Sequence, residues 1–180
     1  MIFVLKMLNR IVLFFIFLGI FSASFVVGAE VKVSEEESAI VLEEFESLIA
    51  DIDAVGIFTH NILLALPMFI PGFGIAWGAF AAFSTGMAFS VLQDANPMLE
   101  NIPSLTILFM SPFGLMEIAA YSIAMSRSYM IVHKMIKRMP IRPDLRVIGL
   151  EVAILVGLLL AGGFLEYYFI ENLPTDIPQI

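Results

Sequence analysis

The chain has 180 residues, 60% of them hydrophobic, with a mean hydropathy of +0.97; a soluble domain is roughly 45–50% apolar, and a fold this size could not enclose the excess in one core, so the composition specifies an integral membrane protein. Cysteine is absent, which excludes disulfides, thiolate metal sites and a cysteine nucleophile. The net charge of −8 argues against a nucleic-acid partner, although in a membrane chain the placement of charge matters more than its sum.

A hydrocarbon layer about 30 Å thick takes roughly 20 apolar residues of helix, and five segments qualify as spans. The first is 11–29, "IVLFFIFLGIFSASFVVGA", preceded by Lys6 and Arg10. Residues 1–29 are either a retained span or a cleaved leader, since a basic start, an apolar run and "VGA" before Glu30 also describe a signal peptide. Residues 30–54 follow as an acidic amphipathic segment. Ser34 and Glu37 form a capping box, and Glu35 and Glu36 suit a positive helix N-terminus. Val41, Phe45, Leu48, Ile52 and Val55 draw one stripe at helical spacing through 34–55. That stripe packs on the protein's own membrane domain or docks a partner.

The second span starts near Val55 in "VGIFTHNILLALPMFI" and meets "PGFG" at 71–74, which reads as a tight hairpin. The third is 75–92. The fourth is 104–125, with Pro112 inside it as either a kink or the elbow of a re-entrant segment. Residues 126–140 continue it as a basic flank suited to anionic headgroups. The fifth span is 147–169, and 171–180 is a short tail.

Eight of the nine Lys and Arg fall before span one or between spans four and five, whereas 30–53 carries nine acids against Lys32. The positive-inside rule then places the N-terminus in the cytoplasm, the 126–146 connection in the cytoplasm and the C-terminus outside. The expected architecture is an all-α transmembrane bundle of about five spans, with a four-span domain over 55–170 and an external acidic helix.

Small residues at every fourth position mark helix seams in lipid. Span three has Gly74, Gly78, Ala82, Gly86 and Ser90; span four has Ala120, Ala124 and Ser128; span five has Gly149, Ala153, Gly157 and Ala161. A homodimer would use whichever ladder is left unpaired within the chain.

Ionisable residues inside spans are functional-site candidates by default. His60, Asn61, Glu117 and Glu166 stand out. Counting about 1.5 Å per residue, Glu117 lies roughly 15 Å from Arg127 and near the midplane. Glu166 lies about 30 Å from Arg146, at the outer boundary, and His60 and Asn61 are shallow. Helical phase puts Glu117 on the face of Ala120, Ala124 and Ser128, so it points into the bundle. It braces another helix, forms a proton or cation site, or pairs with His60. A metal site of His60, Glu117 and Glu166 has suitable ligand types, but the three depths differ, and no metal or other cofactor is assigned.

The "F-x-H-N" at 58–61, "S-T-G" at 84–86, "SPFGLMEIAA" at 111–120 and "FLEYY" at 164–168 together resemble the stage II sporulation protein M family. The resemblance runs over 55–170 and is carried by Asn61, Gly86, Pro112, Gly114, Glu117 and Glu166. Phe113 stands where the family has His, and Thr85 where it has Asn. The resemblance implies a multi-pass membrane protein without enzymatic activity of its own, acting as a scaffold or subunit of a membrane complex. Fold likeness does not carry a sporulation role with it. The other function class is a channel or transporter subunit that binds a proton or cation at Glu117. No HExxH, Gly-x-Ser-x-Gly or Walker A motif is present, so no catalytic residues are assigned.

Overall fold

The computed structural model describes residues 2–49, 52–97, 99 and 102–172. The tail beyond Asn172 and the side chains of Lys6 and Leu48 lie outside the described residues. Every regular element among the described residues is a helix: α1 (Ile2–Ala29), α2 (Glu35–Ile49), α3 (Ala54–Ala65), α4 (Phe73–Ala95), α5 (Ser104–Met110), α6 (Pro112–Ile136) and α7 (Leu145–Asn172), with 3-10 turns at Leu66–Phe69 and Arg142–Asp144.

Among the described residues, three helical stretches are long and apolar enough to cross a membrane: Asn9–Ala29, Phe73–Ala95 and Arg142–Asn172. The other two expected spans take different forms. Ala54–Phe69 is apolar but shorter. The expected span over 104–125 is two helices, α5 and α6, bent by 89°. Ser111 makes the break, because its hydroxyl oxygen accepts the Gly114 N–H at 3.1 Å as the N-cap of α6. Pro112 then occupies the first turn, where its missing N–H removes no helical bond. The basic stretch continues this helix as far as Ile136.

The amphipathic stripe through 34–55 also divides. Ser34 and Glu37 exchange capping-box bonds at 3.2–3.3 Å and start α2, but Asp53 accepts from Gly56 N–H at 2.7 Å and begins a new helix. Val41 and Phe45 therefore belong to α2, and Val55 to α3. The "PGFG" hairpin follows, with Gly72 at φ +81, a conformation that favours glycine. Pro67 offers no N–H to the preceding turn, and the Trp77 indole donates to the Leu64 carbonyl across the hairpin at 2.9 Å.

The core lies between α1, α4, α6 and α7, around Phe17, Phe21, Phe25, Phe89, Ile118, Met125, Leu155 and Leu159. Close backbone approach sets α1 against α4. A Cβ at Gly28 would overlap the Phe83 carbonyl oxygen, and one at Gly86 would overlap that of Phe25. Along the same face of α4, a Cβ at Gly74 would strike the Met68 backbone, a Cβ at Gly78 would meet Met125, and Ala82 is fully buried. Ala120, Ala124 and Ser128 of α6 are likewise fully buried.

The α7 ladder differs from the expected seam. Gly149, Ala153, Gly157 and Ala161 are exposed, and no heavy atom lies within 4 Å of a Cβ built on Gly149 or Gly157. The face that packs carries Glu151, Leu155, Leu159, Gly162 and Gly163 instead. Its rotation follows from Glu151, which must reach two arginines inside the bundle.

Candidate functional site

Glu117 projects from the second turn of α6 toward α3. Its Oε1 accepts from the Asn61 side-chain amide at 2.7 Å, and the Asn61 carbonyl oxygen accepts from the Tyr121 hydroxyl at 3.2 Å. Glu117 and Tyr121 are four residues apart on one helix face, so a single α3 side chain answers both. The chain Tyr121, Asn61, Glu117 leaves no amide group idle in an apolar interior, where an unpaired polar group would be expensive. Asn61 and Tyr121 are buried, at 7% and 5% exposure.

Glu117 is less covered because it lines a cavity of about 580 Å³. His60 and Glu166 line the same cavity, so three of the four candidate polar residues share one wall and Asn61 stands behind it. No group of three His, Asp or Glu side chains is placed to hold a metal ion among the described residues; His60, Glu117 and Glu166 are neighbours of a common space without forming a ligand set. Most of the remaining wall is apolar, including Phe25, Trp77, Phe80 and Phe89, and α2 contributes Val41, Glu44 and Phe45. A smaller space of about 100 Å³ adjoins Glu117 and Tyr121.

The motif residues fall around this cavity. Gly114 and Ser111 line it at the α6 N-terminus, and Gly86, next to the lining residue Thr85, sits at the α1–α4 crossing. The two departures also face it. Phe113 lines the wall and packs against Phe169 with ring centroids 6.2 Å apart, and Thr85 donates to the Ala81 carbonyl at 2.9 Å.

A second polar cluster lies ten residues along α6 from Glu117. Glu151 accepts from Arg127 Nε at 2.5 Å and Nη2 at 2.7 Å, and from Arg10 Nε at 2.8 Å. Arg10 also donates to the Ser126 hydroxyl. Arg127 is 2% exposed, so it is an internal ion-pair partner and not a solvated flank. Sequence reasoning passed over Glu151 because it falls near Arg146, where a charge looks like an ordinary span boundary. The signal that would have found it is its phase: Glu151, Leu155 and Leu159 share one helical stripe. Next to this cluster Ser128 clasps the hairpin, donating to the Ile70 carbonyl at 2.7 Å and accepting from Gly72 N–H at 3.1 Å.

Comparison with protein-family models, curated proteins and solved structures finds no match for this chain. The functional reading therefore rests on the site itself.

Proposed function

We propose that the protein is a multi-pass membrane protein of about five passes that binds a cation or proton at Glu117 as a subunit of a channel or transporter. The observation that carries this reading is the position of Glu117, braced by Asn61 on the wall of a cavity of about 580 Å³ whose lining contains no Lys or Arg among the described residues. A carboxylate set beside a broken helix within apolar surroundings is the arrangement used by membrane cation sites. With the N-terminus and the α6–α7 connection in the cytoplasm, the cavity and α2 belong to the extracytoplasmic half. Arg127 is internal, so Lys134 and Lys137 are the better inner boundary marks. Glu117 is then about 25–30 Å from that boundary, in the outer part of the layer.

Reconstituted proteoliposomes test the reading. Proton, sodium or potassium flux in the wild type should fall at least tenfold in Glu117→Gln, and flux that ignores the substitution would overturn it. Five spans are few for a transporter, so the active unit includes a second copy or a partner.

A second reading is a non-enzymatic scaffold resembling stage II sporulation protein M. It is favoured by the unpaired small-residue face of α7, Gly149, Ala153, Gly157 and Ala161, which is suited to close helix contact in lipid. Cross-linking in native membranes that traps neither a homodimer nor another protein would rule it out.

A further inference from the structure

The cavity that holds Glu117 is larger and more apolar than a bare inorganic ion requires. A metal cation collects several oxygen ligands at about 2–2.6 Å, and no group of three His, Asp or Glu side chains is placed to supply them among the described residues. A volume of about 580 Å³ matches the roughly 300–1,000 Å³ of small-molecule sites. The lining also has a definite electrostatic sense. Glu44, Glu117 and Glu166 are acidic, and no Lys or Arg among the described residues meets the cavity, so an anion would find no Lys or Arg counter-charge there. Trp77 and Phe80 present aromatic surface on the same lining, with ring centroids 5.9 Å apart, and aromatic faces attract cations. The Oε1 atom of Glu117 is engaged by Asn61, which fixes the carboxylate and leaves Oε2 for an occupant.

We propose that this cavity binds a small organic ammonium ion, protonated or quaternary, with its charge against Glu117 and Glu166 and its hydrocarbon body against Trp77 and Phe80. The inference rests on the cation-site reading and names the class of cation. A phospholipid ammonium headgroup is the less suitable source of that charge, because its phosphate would lie in a lining without Lys or Arg among the described residues.

Trp77 is the only tryptophan in the chain and lines the cavity, so its fluorescence reports occupancy directly. The protein in dodecyl maltoside should show saturable quenching by N-butylpyridinium, a cationic contact quencher. Tetrabutylammonium should displace it and neutral butylbenzene should not. Glu117→Gln should weaken binding at least tenfold. Glu166→Gln, which removes no hydrogen bond of the fold, should weaken it several-fold, and Glu46→Gln on the exposed face of α2 should leave it unchanged. Linear, undisplaced quenching would overturn the proposal. So would equal displacement by butylbenzene, or unchanged affinity in both cavity variants. Displacement by dihexanoyl phosphatidylethanolamine as effective as that by tetrabutylammonium would overturn the assignment to a free amine. Glu117-dependent proton or sodium flux without ammonium binding would sink this inference and leave the broader one standing; the loss of both would sink both.

Discussion

Glu151 holds two guanidinium groups with one carboxylate, and the three charges sit where α1, α6 and α7 meet. Burying charge is costly, and the pairing offsets that cost only while all partners are present. Glu151→Leu would leave Arg10 and Arg127 as like charges without a counter-ion. It should lower stability by about 3–5 kcal/mol, read as a fall in the melting temperature in detergent. Adding Arg127→Met should restore much of the loss, because apolar replacement of a whole buried pair is often neutral. The Asn61 brace is a smaller case of the same kind. Asn61→Leu leaves the Glu117 carboxylate and the Tyr121 hydroxyl without their partner and should cost about 1–3 kcal/mol. That Glu117 faces the bundle was legible from its phase with Ala120 and Ala124. That Asn61 would meet it was not, because the pairing of α3 with α6 depends on how the intervening hairpin folds back. The internal role of Arg127 is hidden in the sequence for a related reason. A cation near the end of an apolar run looks solvated until its counter-charge, 24 residues away, is located.

Helices here are fixed by backbone proximity at some glycines and left open at others, and the difference is measurable. Gly86→Ala puts a methyl group into the Phe25 carbonyl, and Gly28→Ala puts one into that of Phe83. Each should destabilise by about 1–3 kcal/mol or more, as overpacking does. Gly157→Ala meets no atom within 4 Å and should be neutral or slightly stabilising in the purified monomer, since alanine favours helix over glycine. Sequence spacing showed the ladders on α4 and α7 alike. It could not show that α7 turns its ladder outward, because the requirement that Glu151 reach the arginines decides that rotation. At the other end of the fold, the cap of α2 depends on pH. Hydrogen bonds from the Ser34 hydroxyl and backbone N–H hold the Glu37 carboxyl below its usual range. A depressed carboxylate gives stability that is full above its unfolded pKa and lost as pH falls through the folded one. Amide exchange in the first turn of α2 should therefore gain protection from acid to neutral pH once intrinsic rates are divided out. Ser34→Ala should flatten that dependence, and an unchanged profile would count against the cap.

At the scale of the molecule, the hairpin at Pro71 and Gly72 decides how many times the chain crosses the bilayer. Composition specified a helical membrane protein, because the longest apolar runs, at 11–29, 75–92 and 147–169, are too long and too poor in turn residues for anything else. The number of crossings was less legible, since 16 residues over Ala54–Phe69 rise only about 24 Å against a layer of about 30 Å. The hairpin is nevertheless tied to Ser128, beside Arg127, and so to the polar layer formed with Arg10 and Glu151. A short second span suffices if that layer, and not the plane of Lys134, receives the turn. Its polar groups can satisfy a hairpin that lipid could not. The absence of native cysteine makes accessibility labelling clean. A cysteine at Pro71 should react from the same side as one at Lys137 and from the opposite side to one at Glu46. Five spans require this alternation, because α3 must descend from the α2 side to the arginine layer before α4 returns. Labelling of Pro71→Cys from the Glu46 side would mean that α3 does not cross, and the cavity would then belong to a bundle with fewer passes.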